Sequence, residues 1–409
     1  MRFDKYALSA EILANLAKLN FTKTTDIQYK AIPPILKGED VLAIAQTGTG
    51  KTAAFVIPIV QFLQECQQQG KRGIKCIVMV PTRELAIQIT EVFEKIAVGT
   101  KVKPYCITGG VEQDPQIKQL QHGIDALIAT PGRVFDLVSQ GYIHLERIEI
   151  LVLDEADHML DLGFIKDIKD LMKHLPIKRQ TLFFSATIND KIKKIAYNIV
   201  RNPIRIQISP HNPVAKNIHH TVAYIEMDDK RFFLERLINE NSESKMLVFV
   251  RTKVRAERVM LAMQRVGIKS KTIHGDKEQQ DRLAVLNEFR NGDIKVLIAT
   301  DVSARGIDIA HVDYVVNYDL PEQSESYVHR VGRTGRGRNK GQAIAFCSAE
   351  EKPILMEIEE FLGHEIEKVK ITKKDYQEVI DLTSDENETN WRGLLVEEDK
   401  KPKWVKKRR

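Results

Sequence analysis

AQTGTGKT, residues 45–52, follows a short apolar run at 41–45 and precedes a renewed helical pattern. An apolar run of that length, bounded by turn residues, reads as a buried strand; the stretch is therefore a strand, a tight loop and the start of a helix. Backbone N–H groups at a helix N-terminus can hold several phosphate charges without burying an equal number of cations. Gly48 and Gly50, with Thr49 between them, allow the backbone to come that close. Lys51 is placed to reach β- and γ-phosphates as a point charge, and the Thr52 hydroxyl to ligate Mg²⁺. The common form of this loop begins with glycine, where this chain has Ala45.

At 409 residues the chain is too long for one ordinary core, so two domains are expected. Hydrophobic residues at 43% and charged residues at 29% describe a soluble globular protein, and no apolar run is long enough to span a bilayer. Residues 1–18 are charged and amphipathic where a signal peptide would need an unbroken apolar block, so a cytoplasmic location without membrane contact is expected. Cys66, Cys76, Cys106 and Cys347 lie far apart without metal-ligand spacing, and three of them fall in strand-like runs; buried reduced thiols are expected. The net charge of +6 is local in origin. KKPKWVKKRR, residues 400–409, carries seven basic side chains and no acidic one, which leaves the rest of the chain nearly neutral. Any grip on a polyanion outside that segment must come from individually placed contacts.

Ser9 can cap a helix whose apolar positions Ile12, Leu13, Leu16 and Leu19 share one face. After the phosphate loop a helix from Lys51 contains Pro58, which should either kink it or shorten its regular part. Apolar runs at 76–80, 105–108, 126–130, 150–153 and 181–184 then alternate with helical stretches, the pattern of a parallel sheet with crossover helices. The second half repeats the first. KCIVMVPT at 75–82 is echoed by KMLVFVRT at 245–252, and ALIAT at 126–130 by VLIAT at 296–300, both displaced by 170 residues; YCITGG at 105–110 and KTIHGD at 271–276 are offset by nearly as much. A shared displacement points to a tandem pair of related α/β domains, joined near residues 205–217 where Pro210 and Pro213 lie in a polar stretch. In such sheets ligand groups gather at the carboxyl ends of the strands.

ILVLDEAD delivers Asp154 and Glu155 at a strand's carboxyl end. ATP hydrolysis needs one carboxylate near Mg²⁺ and another group to orient the attacking water, roles that suit Asp154 and Glu155 respectively. In the second half, YVHRVGRTGRGR at 327–338 is a glycine-containing loop from which Arg330, Arg333 and Arg336 can project as arginine fingers, or alternatively as a basic loop on an RNA backbone.

The ordered set Gln28, AQTGTGKT, PTRELA at 81, TPGR at 130, DEAD at 154, SAT at 185, HGDKEQQDR at 274, TDVSARGID at 300 and HRVGRTGR at 329 resembles the DEAD-box RNA helicases, in a compact bacterial-type form, over residues 3–370. The resemblance implies two tandem RecA-like α/β domains, each a mostly parallel sheet with helices on both faces. They would occupy residues 1–206 and 218–371, with a linker at 207–217 and a flexible acidic-then-basic tail at 372–409. It implies ATP and Mg²⁺ as cofactors, RNA as partner, and RNA-stimulated ATP hydrolysis coupled to local unwinding of short duplexes or remodelling of RNA–protein complexes. Lys51, Asp154, Glu155, Arg333 and Arg336 would be catalytic, the last two on the γ-phosphate, with Mg²⁺ on Thr52 and Asp154. Gly48, Thr49, Gly50, Lys51 and Thr52 would hold phosphates, Phe21 and Gln28 the adenine with Phe3 in support, and Asp308 the ribose; Ser185 and Thr187 would couple nucleotide state to closure. RNA contacts carried over are Thr82, Arg83, Gly109, Gly110, Thr130, Gly132 and Arg133 in the first domain, and Thr252, Gly275, Arg282, Thr300 and Asp301 in the second. Glycines, hydroxyls and loop amides suit phosphates and 2′-OH groups and lack the means to read base edges, so binding should be largely independent of RNA sequence. One departure stands out: prolines common around the threonine before the glutamine are here Thr24 and Asp26. The Ala45 that opens the phosphate loop, in contrast, is usual for the family.

Three functions compete on these residues: an RNA-remodelling ATPase, an ATP-dependent RNA clamp that holds a partner assembly, and a DNA translocase, which the resemblance disfavours. A monomer is expected, acting on single-stranded or short duplex RNA; ribosomal and RNA-decay assemblies are both compatible. Trp404 among seven cations could stack on a base, so loss of residues 400–409 should weaken RNA binding and its salt dependence while sparing RNA-saturated turnover.

Overall fold

The computed structural model describes residues 1–384 except 47, 72, 209–213, 215–216, 302–311 and 336–339, and of 382–384 only the helix they belong to. Asp308, Arg336 and the basic segment 400–409 therefore lie outside the described residues.

The first sheet contains β1 (Val41–Ala45), β2 (Cys76–Met79), β3 (Pro104–Ile107), β4 (Ala126–Ala129), β5 (Ile150–Leu153), β6 (Gln180–Ser185) and β7 (Ile204–Ile208). The second contains β8 (Ile218–Tyr224), β9 (Met246–Phe249), β10 (Ser270–Ile273), β11 (Val296–Ala299), β12 (Tyr314–Asn317), β13 (Gly341–Cys347) and β14 (Glu367–Lys368). All pairings are parallel, in the orders 3-4-2-5-6-1-7 and 10-11-9-12-13-8-14. Adding seven to every strand of the first order gives the second, so the repeated sequence patterns correspond to repeated topology. The segments displaced by 170 residues are β2 with β9 and β4 with β11.

Alternation along each strand explains why the strands read as unbroken apolar runs. Val41, Ala43 and Ala45 of β1 enter a core with Ile27, Phe55 and Phe93, whereas Leu42 and Ile44 face a second core with Met159, Ile168 and Leu171. The second sheet is covered on both faces in the same way, Leu247 and Phe249 of β9 on one side and Met246 and Val248 on the other. A strand buried on both faces has no polar position, and each Val, Leu or Ile so buried contributes about 1.5–3 kcal/mol.

Ser9 caps the helix Ala10–Lys18, its hydroxyl accepting from the Ile12 N–H at 3.4 Å. The helix Lys51–Gln68 runs through Pro58 without ending, which removes the shortened alternative. β7 continues past the expected boundary at 206, while Val214 already packs in the second lobe's core. The expectation of a flexible appendage from 372 needs correction: Lys373–Ser384 is a helix. Tyr376 anchors it against Phe233 with ring centroids 4.9 Å apart, its hydroxyl bonded to Asp229 and to the Glu226 N–H, and Val379 is buried one turn on. Two anchors at helical spacing are too little apolar periodicity to stand out in an acidic sequence. The cysteines are unpaired thiols, three buried and Cys106 half-buried. Among the described residues no helix is long and apolar enough to cross a membrane.

Candidate nucleotide and RNA site

The phosphate loop joins β1 to the helix Lys51–Gln68, with Gly48 at φ +80° and Gly50 at φ +93°, a region costly for residues with a Cβ. Gly50 is required for space as well, since a Cβ there would lie 2.6 Å from the Gln28 side-chain nitrogen. Gln28 is buried; its Oε1 accepts from the Thr25 N–H at 3.0 Å and its Nε2 donates to the Gly50 carbonyl at 3.2 Å. The Lys51 side chain is buried, and its Nζ has no hydrogen-bond partner among the described residues. A buried, unpartnered ammonium at a helix N-terminus is a site for an anion. Thr52 follows it on the first turn, partly exposed.

Beyond β5, Asp154 and Glu155 are both buried. Burial pushes the Asp154 carboxyl up to about 6, with Lys51 opposing and Glu155 and Asp157 adding to the rise. Burial also pushes Glu155 upward, but the neighbouring His158, whose Nδ1 lies 3.5 Å away, together with Arg333 and Lys51, outweighs it and holds Glu155 at about 2. Two adjacent carboxyls thus have distinct tasks: Glu155 is a permanent anion, and Asp154 needs a cation to ionise fully near neutral pH. Glu155 sits at φ +51°, an uncommon conformation for a residue with a side chain, where β5 turns into the helix Ala156–Asp161. These donors fit Mg²⁺: a buried carboxyl within electrostatic reach of the phosphate-loop lysine suits a hard cation that keeps most of its waters.

The second lobe reaches the same place. Arg333 is buried, donates from Nε to the His329 carbonyl at 3.1 Å, and lies within electrostatic reach of Glu155. Arg330 does not project, contrary to its reading as a finger. It lies on the helix Ser324–Val331, grips Asp301 with two bonds of 2.6 and 2.7 Å, and donates to Asn317 and the Asp319 carbonyl. The glycines that free a loop come after it; at Arg330 the chain is still helical, and its forked guanidinium braces the lobe from inside.

The RNA candidates fall at strand carboxyl ends in both lobes. Thr82, Thr130 and Thr252 each precede a helix directly after β2, β4 and β9, and the hydroxyls of Thr82 and Thr252 accept from the N–H groups of Leu85 and Arg255. Three helix N-termini are thereby available to phosphates. The Arg83 guanidinium lies against Gly110, at φ +74°, where a Cβ would come within 1.9 Å of it, and Gly109 is beside it. Arg133 donates to the Val111 carbonyl at 3.1 Å, leaving its buried Nε and Nη1 without hydrogen-bond partners among the described residues. The Cα positions of Gly132 and Gly275 face open space. Thr300 is buried after β11, its N–H on the Ile273 carbonyl at 3.4 Å, and Asp301 is engaged by Arg330. Arg282 points to the other lobe, 2.9 Å from Glu84.

Residues that sequence reasoning passed over make the connections. Buried Glu84 takes Arg282 and, at 3.0 Å, the Gln279 side chain, both from the far lobe. Asp157 accepts from the N–H groups of Ala186 and Thr187 and from the Thr187 hydroxyl at 3.0–3.2 Å, and its carboxylate lies 3.9 Å from His329 Nε2 across the cleft. Ser185 Oγ donates to the Thr187 carbonyl at 2.7 Å. Ser185 and Thr187 are therefore brought together with the carboxylate strand and the arginine helix. Glu84, Asp157, Gln279 and His329 all lie inside the quoted motifs, but their pairings span up to 198 residues, and no local pattern reveals them.

A family model described as DEAD/DEAH box helicase matches residues 25–195, and one described as helicase conserved C-terminal domain matches 229–338. The ATP-dependent RNA helicase DbpA of Bacillus subtilis (strain 168) is 38% identical over 373 residues, 91% of this chain and 77% of that protein. Among solved structures, S. cerevisiae Dbp5 bound to RNA and ADP BeF3 overlays with a TM-score of 0.83 at 32% identity, covering 94% of this chain and 99% of that one. A point variant of S. cerevisiae Dbp5, bound to Nup159, a variant Gle1, IP6 and ADP, gives 0.64 at 31% identity, over 93% and 99%. Nearly one sequence underlies both scores, so the difference is conformational, and this chain's lobes are arranged more like the RNA- and nucleotide-analogue-bound form.

Proposed function

Because the chain belongs to the DEAD-box family of ATP-dependent RNA helicases, we propose that its two lobes close on ATP and single-stranded RNA together and that Asp157 links the two events. The activity is RNA-stimulated hydrolysis of ATP, coupled to local unwinding of RNA or remodelling of its complexes. Lys51 and the loop amides hold the phosphates, Phe21 and Gln28 the adenine, and Asp308 the ribose. Thr52 and Asp154 hold Mg²⁺, which when bound neutralises charge on the β- and γ-phosphates. Glu155, kept ionised by its surroundings, orients the attacking water. Arg333 and Arg336 come from the second lobe to the γ-phosphate, so hydrolysis is fast only in the closed form.

RNA lies across the Thr82, Arg83, Gly110 and Arg133 face of the first lobe and the Thr252, Gly275, Arg282 and Thr300 face of the second. Contacts to the backbone alone make binding tolerant of sequence, and a strand held in a bent path cannot keep its complement paired. The observation that carries this reading is the pair of cross-cleft contacts, Glu84 with Gln279 and Arg282 on the RNA side and Asp157 with His329 on the nucleotide side. A monomer acting in the cytoplasm on single-stranded or short duplex RNA fits a two-lobed chain that supplies both walls of the cleft, with ribosomal or RNA-decay assemblies as its setting. The direct test is Glu155→Gln: ATP and RNA should stay bound together, while multiple turnover falls by about 10²- to 10⁴-fold. Multiple turnover at the wild-type rate would overturn the assignment.

A further inference from the structure

We propose that Thr24 is a positioning residue for adenine recognition, tethering the loop that carries Phe21 and Gln28 to the first residues of the chain. The proposal rests on the reading of Phe21 and Gln28 as the pair that contacts adenine. Residue 24 is where the resemblance leads one to expect a proline, whose ring would set the backbone in advance. Here the same place is held by hydrogen bonds. The Thr24 N–H donates to the Met1 carbonyl at 2.9 Å and the Thr24 hydroxyl donates to the same oxygen at 3.2 Å. Proline has no N–H to give, so tether and ring are alternative means to one end.

The acceptor is itself fixed. Residues Phe3–Lys5 form a short 3₁₀ turn whose Phe3 is buried in the first lobe's core and stacks on Phe21, with centroids 6.2 Å apart and planes 25° from parallel. Tyr6, 6.4 Å from Phe3, is buried next to Thr24. One N-terminal segment therefore supports Phe21 by stacking and the start of the helix Asp26–Leu36 through Thr24. Directly after Thr24, the Thr25 N–H donates to Gln28 Oε1, and Gln28 Nε2 donates to the Gly50 carbonyl. Where residue 24 sits thus decides where the Gln28 amide sits, both against a base and against the phosphate loop. A loosened tether leaves the amide free to turn, and the 6-amino group that distinguishes adenine from guanine loses its fixed partner.

The test compares Thr24→Val, Thr24→Ser, Thr24→Pro and Gln28→Ala in RNA-saturated turnover with ATP and with GTP. Thr24→Val should raise KM for ATP about two- to tenfold, the worth of one hydrogen bond, and lower the preference for ATP over GTP with kcat and Tm little changed. Thr24→Ser, which keeps both donors, and Thr24→Pro, which replaces the tether with a ring, should both restore wild-type KM and preference. A Thr24→Val enzyme with unaltered KM and preference, beside a Gln28→Ala enzyme that has lost its preference, overturns the role of Thr24 alone. If Gln28→Ala keeps the preference as well, the adenine reading fails with it. A Thr24→Pro enzyme as impaired as Thr24→Val contradicts the equivalence of tether and ring.

Discussion

Asp154 and Glu155 are neighbours in the chain and chemical opposites in the fold, because only Glu155 has His158 and Arg333 to offset its burial. The consequence is a pH limb with a defined sign. Asp154 holds its proton up to about 6 in the free enzyme, so its anionic form, the one that can hold a cation, dominates above that pH and is lost below it. KM for Mg-ATP should be flat above pH 7 and rise by about tenfold per unit below pH 6. Steady-state turnover between pH 5 and 8 checks this, and a KM unchanged at pH 5 would count against Asp154 as the metal-side carboxylate. The arginines teach a related lesson. Arg330 and Arg333 look equivalent in the sequence, yet Arg330 is enclosed by Asp301, Asn317 and the Asp319 carbonyl, so Arg330→Ala should unfold its lobe at lower temperature, whereas Arg333→Ala should keep Tm and lose about 10³-fold or more in RNA-stimulated kcat. Residue type and spacing announce a phosphate-binding arginine; only burial and partners tell a brace from a finger.

At the scale of elements, strands were the most legible feature. Two-sided burial leaves unbroken apolar runs, and their repetition at a shared displacement foretold two sheets of one topology. The phosphate loop was equally plain, since Gly48 and Gly50 occupy the backbone conformations that need glycine. What stayed hidden were features with sparse or long-range signals: the helix Lys373–Ser384, held by Tyr376 and Val379, and the buried cluster of Lys230. Lys230 is fully enclosed, 2.5 Å from Glu351 and 2.7 Å from the Tyr318 carbonyl, and no periodicity predicts a lysine there. Glu351→Leu leaves that ammonium without its main partner and should cost about 3–5 kcal/mol in denaturant unfolding. Gly110 is an element-scale constraint with a functional readout. Gly110→Ala must displace the Arg83 guanidinium and should weaken RNA binding by roughly tenfold, the loss of a charge-assisted contact, while ATP binding without RNA is unaffected. Anisotropy titrations with a labelled single strand measure both halves of that expectation.

Across the whole molecule, function lies in the meeting of two lobes, and that was legible only as a resemblance. The sequence shows two halves with ligand-binding residues at their strand ends; it has no means of displaying that Glu84 meets Gln279 and Arg282, or that Asp157 meets His329. These contacts between described residues are polar and cleft-lining, the kind that a reversible closure requires, since a large apolar interface would lock the lobes together. Neither ATP nor RNA alone should suffice to draw the lobes into the arrangement described here; the two together should. Spin labels at Ile177 and Met356, two well-exposed positions on different lobes, report this as a distance distribution, recorded with neither ligand, with a non-hydrolysable ATP analogue, with single-stranded RNA, and with both. A single narrow distribution, matching the closed arrangement, is expected only when both ligands are present; distributions that stay the same in all four conditions, or that remain broad with both ligands bound, would contradict joint closure.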